Sequence, residues 1–159
     1  MNPRAAGTSD IAEIVRVVNL AYRVEDFFIN SDRTDAADVA TRLARRGAEI
    51  LVVDAVDGQG LVAAVYLETR GDLLWFGLLS VDPAAQGRGR ARALIEAVER
   101  RCRDAGLDLI EIDVVDLREE LPAFYARLGF VECGRRPFHD SHKLTRPAEM
   151  IVMQKMLEA

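Results

Sequence analysis

The fold of this chain is decided by LSVDPAAQGRGRARALIEAVE, the stretch from Leu79 to Glu99. It starts with the end of an apolar run that begins at Leu73, continues through Gly87 and Gly89, and ends with apolar residues at helical spacing. This order predicts a strand, a glycine-rich turn and the first turns of an amphipathic helix. Backbone N–H groups and the positive end of the helix dipole would then meet at one point, which suits a phosphate or pyrophosphate.

Three phosphate-binding motifs occur in such a setting and differ in spacing. A Walker A loop requires a Gly-Lys pair, which the sequence lacks. The dinucleotide fingerprint fits Gly87 and Gly89, but its third small residue is replaced by Arg92, whose long side chain opposes close packing. The spacing that fits is Gln86-x-x-Gly89-x-Ala91, the Q/R-x-x-G-x-G/A signature that holds the pyrophosphate of coenzyme A. The alternative is a plain strand-to-helix turn with solvated arginines.

Length and charge exclude several classes of protein. A length of 159 residues favours one domain, which would span residues 1–159. A composition of 50% hydrophobic and 30% charged residues is typical of a soluble globular chain. The formal net charge is −5, yet residues 88–103 contain six arginines and two glutamates. An acidic chain with one basic island is not expected to bind nucleic acid, although the island suits one compact anion.

Other features indicate a cytoplasmic protein without a metal. No apolar run approaches the roughly 20 residues of a membrane span, and the first ten residues lack a signal-peptide core, so no membrane association is expected. Cys102 and Cys133 do not make a disulfide framework. Cys102 falls on the apolar stripe of the predicted helix, which indicates a buried, reduced thiol. The two histidines and two cysteines have no zinc-site spacing.

The remaining pattern predicts an α/β (α+β) domain with a mixed sheet. Asp10 and Glu13 have the spacing of a capping box at the start of a first helix. A second helix is expected from Thr34 or Asp35 to Gly47, and a short one contains Pro122 in its first turn and ends at Gly129. Strands are expected at residues 50–55, 61–68, 73–81, 109–115, from 130, and 150–157.

Two motifs in this order resemble the GNAT superfamily of N-acetyltransferases. The first is LSVDPAAQGRGRARAL, residues 79–94, and the second is PAFYARLGFVECG, residues 122–134, which is similar to the family's F-Y-x-x-x-G-F segment. The opening RAAGTSDIAEI, from Arg4, is similar to the family's first strand and helix start. The resemblance implies a GNAT-like mixed, mainly antiparallel central sheet flanked by helices, with strands splayed at a cofactor cleft.

The activity that the resemblance implies is direct transfer of an acetyl group from acetyl-CoA to a primary amine of a small molecule or peptide. Tyr125 would protonate the departing CoA thiolate, unless it serves only for packing. A non-catalytic acyl-CoA-binding or sensing module is the alternative function. The implied cofactor contacts are Leu79, Ser80, Val81, Gln86, Gly87, Arg88, Gly89, Arg90 and Ala91.

The sequence also departs from the family pattern. Arg118 stands where the family often has a cofactor-contacting Asn, and Leu121 where Ala is frequent. The strand at residues 73–81 contains no glutamate, so the general base stays open. The candidates, directly or through water, are Glu25, Asp26, Glu68, Glu111 and Asp113, although strand carboxylates such as Glu111 are expected to be solvated.

Several expectations concern the acceptor and the surface. The excess acid outside the basic island predicts a cleft that attracts a cationic amine, bordered by the loop at residues 137–143 with His139 and Asp140. Arg100, Arg101 and Arg103 are expected to be a solvated helix face. A homodimer formed through the last strand is an alternative to an internal strand. The aromatic residues that would line a wider pocket for a longer acyl chain are Phe27, Phe28, Trp75 and Phe76.

Overall fold

The computed structural model describes residues 2–158. Within these residues seven strands and four α-helices alternate, with hairpins early and helical crossovers later. In chain order they are β1 (Arg4–Ala5), α1 (Ile11–Ala21), α2 (Ala36–Ala44), β2 (Ala48–Asp54), β3 (Leu61–Arg70), β4 (Leu73–Val81), α3 (Arg90–Asp104), β5 (Leu109–Val115), α4 (Glu120–Arg127), β6 (Val131–Pro137) and β7 (Glu149–Met156).

The strands form one mixed, mainly antiparallel sheet in the order β1-β2-β3-β4-β5-β7-β6. Only β4 and β5 are parallel, and only two residue pairs join them, Leu74 with Ile110 and Trp75 with Glu111. Beyond these pairs the two strands splay, as expected. The last strand β7 lies between β5 and β6, inside the sheet, so the simpler of the two predictions for it is correct.

Apolar residues fill both faces of the sheet because neighbouring strand residues point to opposite sides. Leu51 and Val53 pack with α3 and α4 on one face, while Ile50 and Val52 pack with α1 and α2 on the other. A third cluster around Phe28 joins the α1–α2 connection to the β6–β7 connection. Cys102 is buried on the α3 face with a free thiol, as predicted.

The predicted capping box is wrong. A 3₁₀ turn at Thr8–Asp10 leads into α1, and the Asp10 carboxylate accepts from the Gly7 N–H at 2.9 Å. Glu13, the expected second member, accepts instead from the Leu61 N–H at 2.9 Å. The box is therefore displaced by one turn, and Glu13 ties α1 to the sheet.

One expectation about solvated charges also fails. Glu111 is buried because β7 and β6 continue the sheet beside β5, and it accepts from Arg136 at 3.1 Å and Gln154 at 2.9 Å. The solvated helix face is confirmed: Arg100 and Arg103 are exposed, and Arg101, with 42% of its side chain exposed, pairs with Glu49 at 2.7 Å. Within residues 2–158 no helix has the length and apolarity of a membrane span.

Candidate active site

A cleft of about 920 Å³ opens where β4 and β5 splay. This volume is in the range of small-molecule and cofactor sites. One half of the cleft is lined by the end of β4, the glycine-rich turn, the start of α3 and the start of α4. The other half is lined by residues of the α1–α2 connection, α2, the β3–β4 turn, β5 and the β6–β7 connection. We name them the turn half and the arginine half.

The turn half has the geometry of an oxyanion cradle. Gly87 and Gly89 adopt left-handed φ values of 82° and 74°, and a Cβ at either position would meet nothing within 4 Å. No side chain caps the N-terminus of α3. Its first-turn N–H groups therefore have neither an intrahelical nor a capping partner, and an anion in the cleft would satisfy them.

The structure places most of the predicted site residues in this cleft. Ser80 and Arg88 are the two that do not line it: the Ser80 hydroxyl is buried and donates to the Leu78 carbonyl at 2.8 Å, and Arg88 is exposed. Arg90 lines the cleft, but its guanidinium turns back and donates to the Ala85 carbonyl at 3.0 Å. The others that line it are Leu79, Val81, Gln86, Gly87, Gly89, Ala91 and Tyr125.

A β-bulge in β4 lies at the centre of the cleft. Tyr66 pairs with Gly77 and Ala64 pairs with Ser80, so two residues of β4 face one residue of β3, and Leu78 takes a φ of 55°. Gly77 directly precedes the two bulged residues, Leu78 and Leu79. In the described chain, β4 has no strand partner on its β5 side after Trp75. Backbone groups on this edge are available to a ligand.

Tyr125 on α4 is a protonated phenol at the wall of the cleft. Its side chain is 6% exposed and packs against Phe76, Phe124 and Phe130 at ring distances of 6.3, 5.0 and 5.6 Å. Burial, followed by the nearby Tyr22, raises the pKa of Tyr125 far above its usual range. No group within residues 2–158 hydrogen bonds its hydroxyl, so the proton is available to a ligand.

The five candidate bases separate clearly by position. Glu25 and Asp113 line the cleft, and burial raises the pKa of each carboxyl. Glu68 does not line the cleft and accepts hydrogen bonds from Tyr66, Arg45 and Arg70. Glu111 does not line it either and is bound by Arg136 and Gln154. Asp26 is exposed outside the cleft. Only the first two could exchange a proton with a bound ligand.

Arg118 lies beside Glu25, where the turn half and the arginine half of the cleft meet. Its guanidinium contacts the Glu25 carboxylate at 3.5 Å and the Glu120 carboxylate at 3.2 Å. Arg118 thus occupies the place of the family's asparagine as part of an ion-pair network. Leu121, the other departure, also lines the cleft.

The expected acidic cleft is wrong. Nine arginines and three carboxylates line it, so the excess acid of the chain lies on other surfaces. Trp75, Phe76 and His139 also line the cleft, but Phe27 is 47% exposed outside it and Phe28 is in the third core cluster. His139 stacks on Phe138 at 4.7 Å, and burial lowers the pKa of its imidazole.

Sequence reasoning missed most of the arginines of the arginine half. It also missed Tyr22, which has helical spacing to the apolar residues of α1, as a packing residue would, and yet lines the cleft. Phe124 stands beside Tyr125 in the F-Y motif, which was a usable signal. The arginines come from segments far apart in sequence and follow no common spacing; they are Arg33, Arg42, Arg45, Arg70, Arg118 and Arg136.

Solved structures share this fold along the whole chain. The protein smu.2055 from Streptococcus mutans UA159 has a TM-score of 0.80 at 17% identity, covering 99% of this chain and 100% of that one. A ribosomal-protein-alanine N-acetyltransferase from Brucella melitensis has a TM-score of 0.79 at 19% identity, covering 99% and 100%. A spermidine N-acetyltransferase variant from Vibrio cholerae has a TM-score of 0.71 at 19% identity, covering 98% and 95%.

The splayed sheet and glycine-rich turn are the architecture of a GNAT acetyltransferase. The family model described as Acetyltransferase (GNAT) family matches residues 16–130, and the chain belongs to this family. The resemblance and the fold class predicted from the two motifs are thereby confirmed. No curated protein sequence matches the chain significantly.

Proposed function

We propose that this chain is an N-acetyltransferase that moves an acetyl group from acetyl-CoA directly to a primary amine of a small molecule or peptide. One observation carries the proposal: the uncapped glycine-rich turn, the neutral phenol of Tyr125 and the buried carboxylate of Glu25 line one continuous cleft. Family membership alone supports acetyl transfer in general. The cleft would add an anion cradle, an acid and a base that line the same space.

The turn half fits the pyrophosphate of coenzyme A. The backbone of Gln86 to Ala91 would hold it, since the two glycines leave open space where side chains would stand. Arg92 and Arg127 line the same half and add positive charge. Acetyl-CoA supplies an activated acetyl thioester. Backbone N–H groups of Leu79 to Val81, on the unpaired edge of β4, would polarise its carbonyl.

Tyr125 would act as the general acid. Its phenol stays protonated at neutral pH because burial disfavours the phenolate. A proton given to the departing sulfur restores the neutral thiol and lets the C–S bond break without a free thiolate. The aromatic packing holds the ring at one side of the cleft, which fixes the direction of the hydroxyl.

Glu25 would be the general base, directly or through water. The amine must lose a proton to attack, and a second leaves the nitrogen as the amide forms. Glu25 lies near Tyr22 and Arg118, the two residues whose charges also act on Tyr125, so it is on the same side as the acid. Its raised pKa makes it a better base than an exposed glutamate.

A non-catalytic acyl-CoA-binding module is the second candidate. The Arg118–Glu25 contact favours it, because an arginine that holds the carboxylate reduces its basicity. In either case we propose that residues 1–159 form one domain, that the cofactor is acetyl-CoA and that the protein acts in the cytoplasm. Within residues 2–158 no three histidine, cysteine or acidic side chains are grouped around a common metal position.

Calorimetry with acetyl-CoA, followed by thiol release over an amine panel, tests the proposal. We expect acetyl-CoA to bind and at least one amine to release free CoA. Absence of acetyl-CoA binding would overturn both candidates. Binding without turnover for any amine would favour the sensing module, whereas turnover that survives in Glu25→Gln at all pH values would remove Glu25 as the base.

A further inference from the structure

One part of the arginine half carries positive charge that the carboxylates paired with it do not balance. Arg45 and Arg70 pair with the same carboxylate: Arg45 contacts the Oε2 atom of Glu68, and Arg70 contacts its Oε1 atom. Arg33 has no ion pair within residues 2–158 and lies over the Tyr22 ring at 5.3 Å. Arg42 is paired with Asp38 at 3.2 Å. These four arginines, all between residues 33 and 70, therefore form a wall with an excess of positive charge.

At β5 and the end of β6, in the same half of the cleft, the imbalance is reversed. Arg136 serves two carboxylates, Glu111 at 3.1 Å and Asp113 at 3.6 Å. The Oδ1 atom of Asp113 is buried and faces the Arg136 Nε at 3.6 Å. The buried indole N–H of Trp75 also acts on this carboxylate.

Arginines are in excess in one part of the cleft and carboxylates in another, and this distribution fits a ligand that carries both signs. A plain cation would meet the carboxylates but would leave the arginine wall unsatisfied. A plain anion would do the reverse. A ligand with an amine at one end and an oxyanion a few bonds away satisfies both sides at once.

We propose that the acceptor is a zwitterionic amine, a free amino acid being the simplest form, with its carboxylate on the arginine wall and its amine toward Glu25 and Asp113. This inference rests on the proposed function and adds the class of the acceptor. Arg33 is the wall arginine without an ion pair within residues 2–158, and its charge acts on the Glu25 carboxylate, so one short ligand could contact both groups. The aromatic surface of Trp75 and Phe138 would face the side chain of the acceptor.

Matched acceptors test the proposal directly. Each amino acid of a panel is compared with its own amide and with the amine that lacks the carboxyl carbon; spermidine and an N-terminal dipeptide amide are added. We expect kcat/KM for the best amino acid to exceed that for its amide at least tenfold. Equal or better use of the amide, the dipeptide amide or spermidine would overturn the zwitterionic acceptor while leaving acetyl transfer intact.

Charge-neutral variants locate the carboxylate contact. Arg33→Gln should raise KM for the amino acid about tenfold and leave KM for its amide unchanged. Arg46→Gln, an exposed arginine outside the cleft, is the matched control and should change neither. An equal change for acid and amide in Arg33→Gln, or no change for either, would refute the assignment.

Trp75 gives a readout that does not depend on turnover. It is the single tryptophan of the chain and lines the arginine half. With CoA bound, an amino acid should change its emission in a saturable way that Arg33→Gln weakens, whereas the amide should not. A titration with no response to any amino acid would overturn this inference; loss of acetyl-CoA binding in calorimetry would instead overturn the proposed function.

Discussion

Replacing Gly89 by alanine separates backbone strain from ligand binding. Gly89 has a φ of 74° and open space where the Cβ would stand, so the substitution meets no clash. The left-handed conformation alone costs an alanine about 1–2 kcal/mol. Unfolding free energy should fall by that amount. If the turn relaxes to avoid the strain, at least one N–H moves away from the CoA phosphates.

A hydrogen bond to a charged group contributes about 1.5–3 kcal/mol, which corresponds to a tenfold or larger change in affinity. Calorimetry with CoA should therefore show Kd raised about ten- to a hundredfold in Gly89→Ala. Gly58→Ala is the control, because Gly58 has a φ of 75°, open space around its Cβ and a position in the β2–β3 hairpin. Both variants should be destabilised alike. A Gly89→Ala variant that loses stability but binds CoA normally would refute the phosphate cradle.

Three further predictions concern the cleft. Tyr125→Phe should lower kcat by about 10²–10⁴ while the Kd for acetyl-CoA stays the same, because only a proton donor is removed; unchanged turnover would exclude the tyrosine from the chemistry. Glu25→Gln should abolish the acidic limb of the kcat/KM profile, which lies above the ordinary glutamate pKa of about 4.3 because burial raises it. In wild type the folded state binds this proton more tightly than the unfolded chain does. Unfolding free energy measured in urea should thus fall as pH rises from the unfolded to the folded pKa, and Glu25→Gln should lack that decline. Gly77→Ala would place a Cβ 2.4 Å from the Trp75 ring, so it should cost about 1–3 kcal/mol and shift tryptophan emission; an unshifted spectrum would mean that the ring has not moved.

The local devices of the fold could be predicted from the sequence because each has a short-range physical cause. Glycines with left-handed φ mark the turn before α3, and Gly77 marks the bulge of β4. Strand and helix periods follow from burial of one face. The displaced capping box shows the limit: the spacing of Asp10 and Glu13 is right for a cap, but Glu13 is taken by a strand 48 residues away.

The polarity of the site could not be predicted, because it depends on which strands are neighbours. Glu111 alternates with apolar residues and has the pattern of a solvated face. It is buried only because β7 pairs with β5 and β6 brings Arg136 beside it. Net charge likewise predicts an acidic cleft, yet the arginines that line it come from five separate segments (residues 33–45, 70, 90–92, 118–127 and 136) and are brought together by the fold.

The short pairing of β4 with β5 also determines how the protein should unfold. Only two residue pairs connect the four-stranded part of the sheet, β1 to β4, with the three-stranded part formed by β5, β7 and β6, so this connection is weak. The rings of Tyr125 and Phe130 against Phe76, and the apolar face of α3, add contacts between the two parts. A cofactor bound in the cleft between β4 and β5 would add further contacts between the two parts of the sheet. It should therefore make unfolding more cooperative, with hydrogen exchange slowing most in β4 and β5 beyond Trp75.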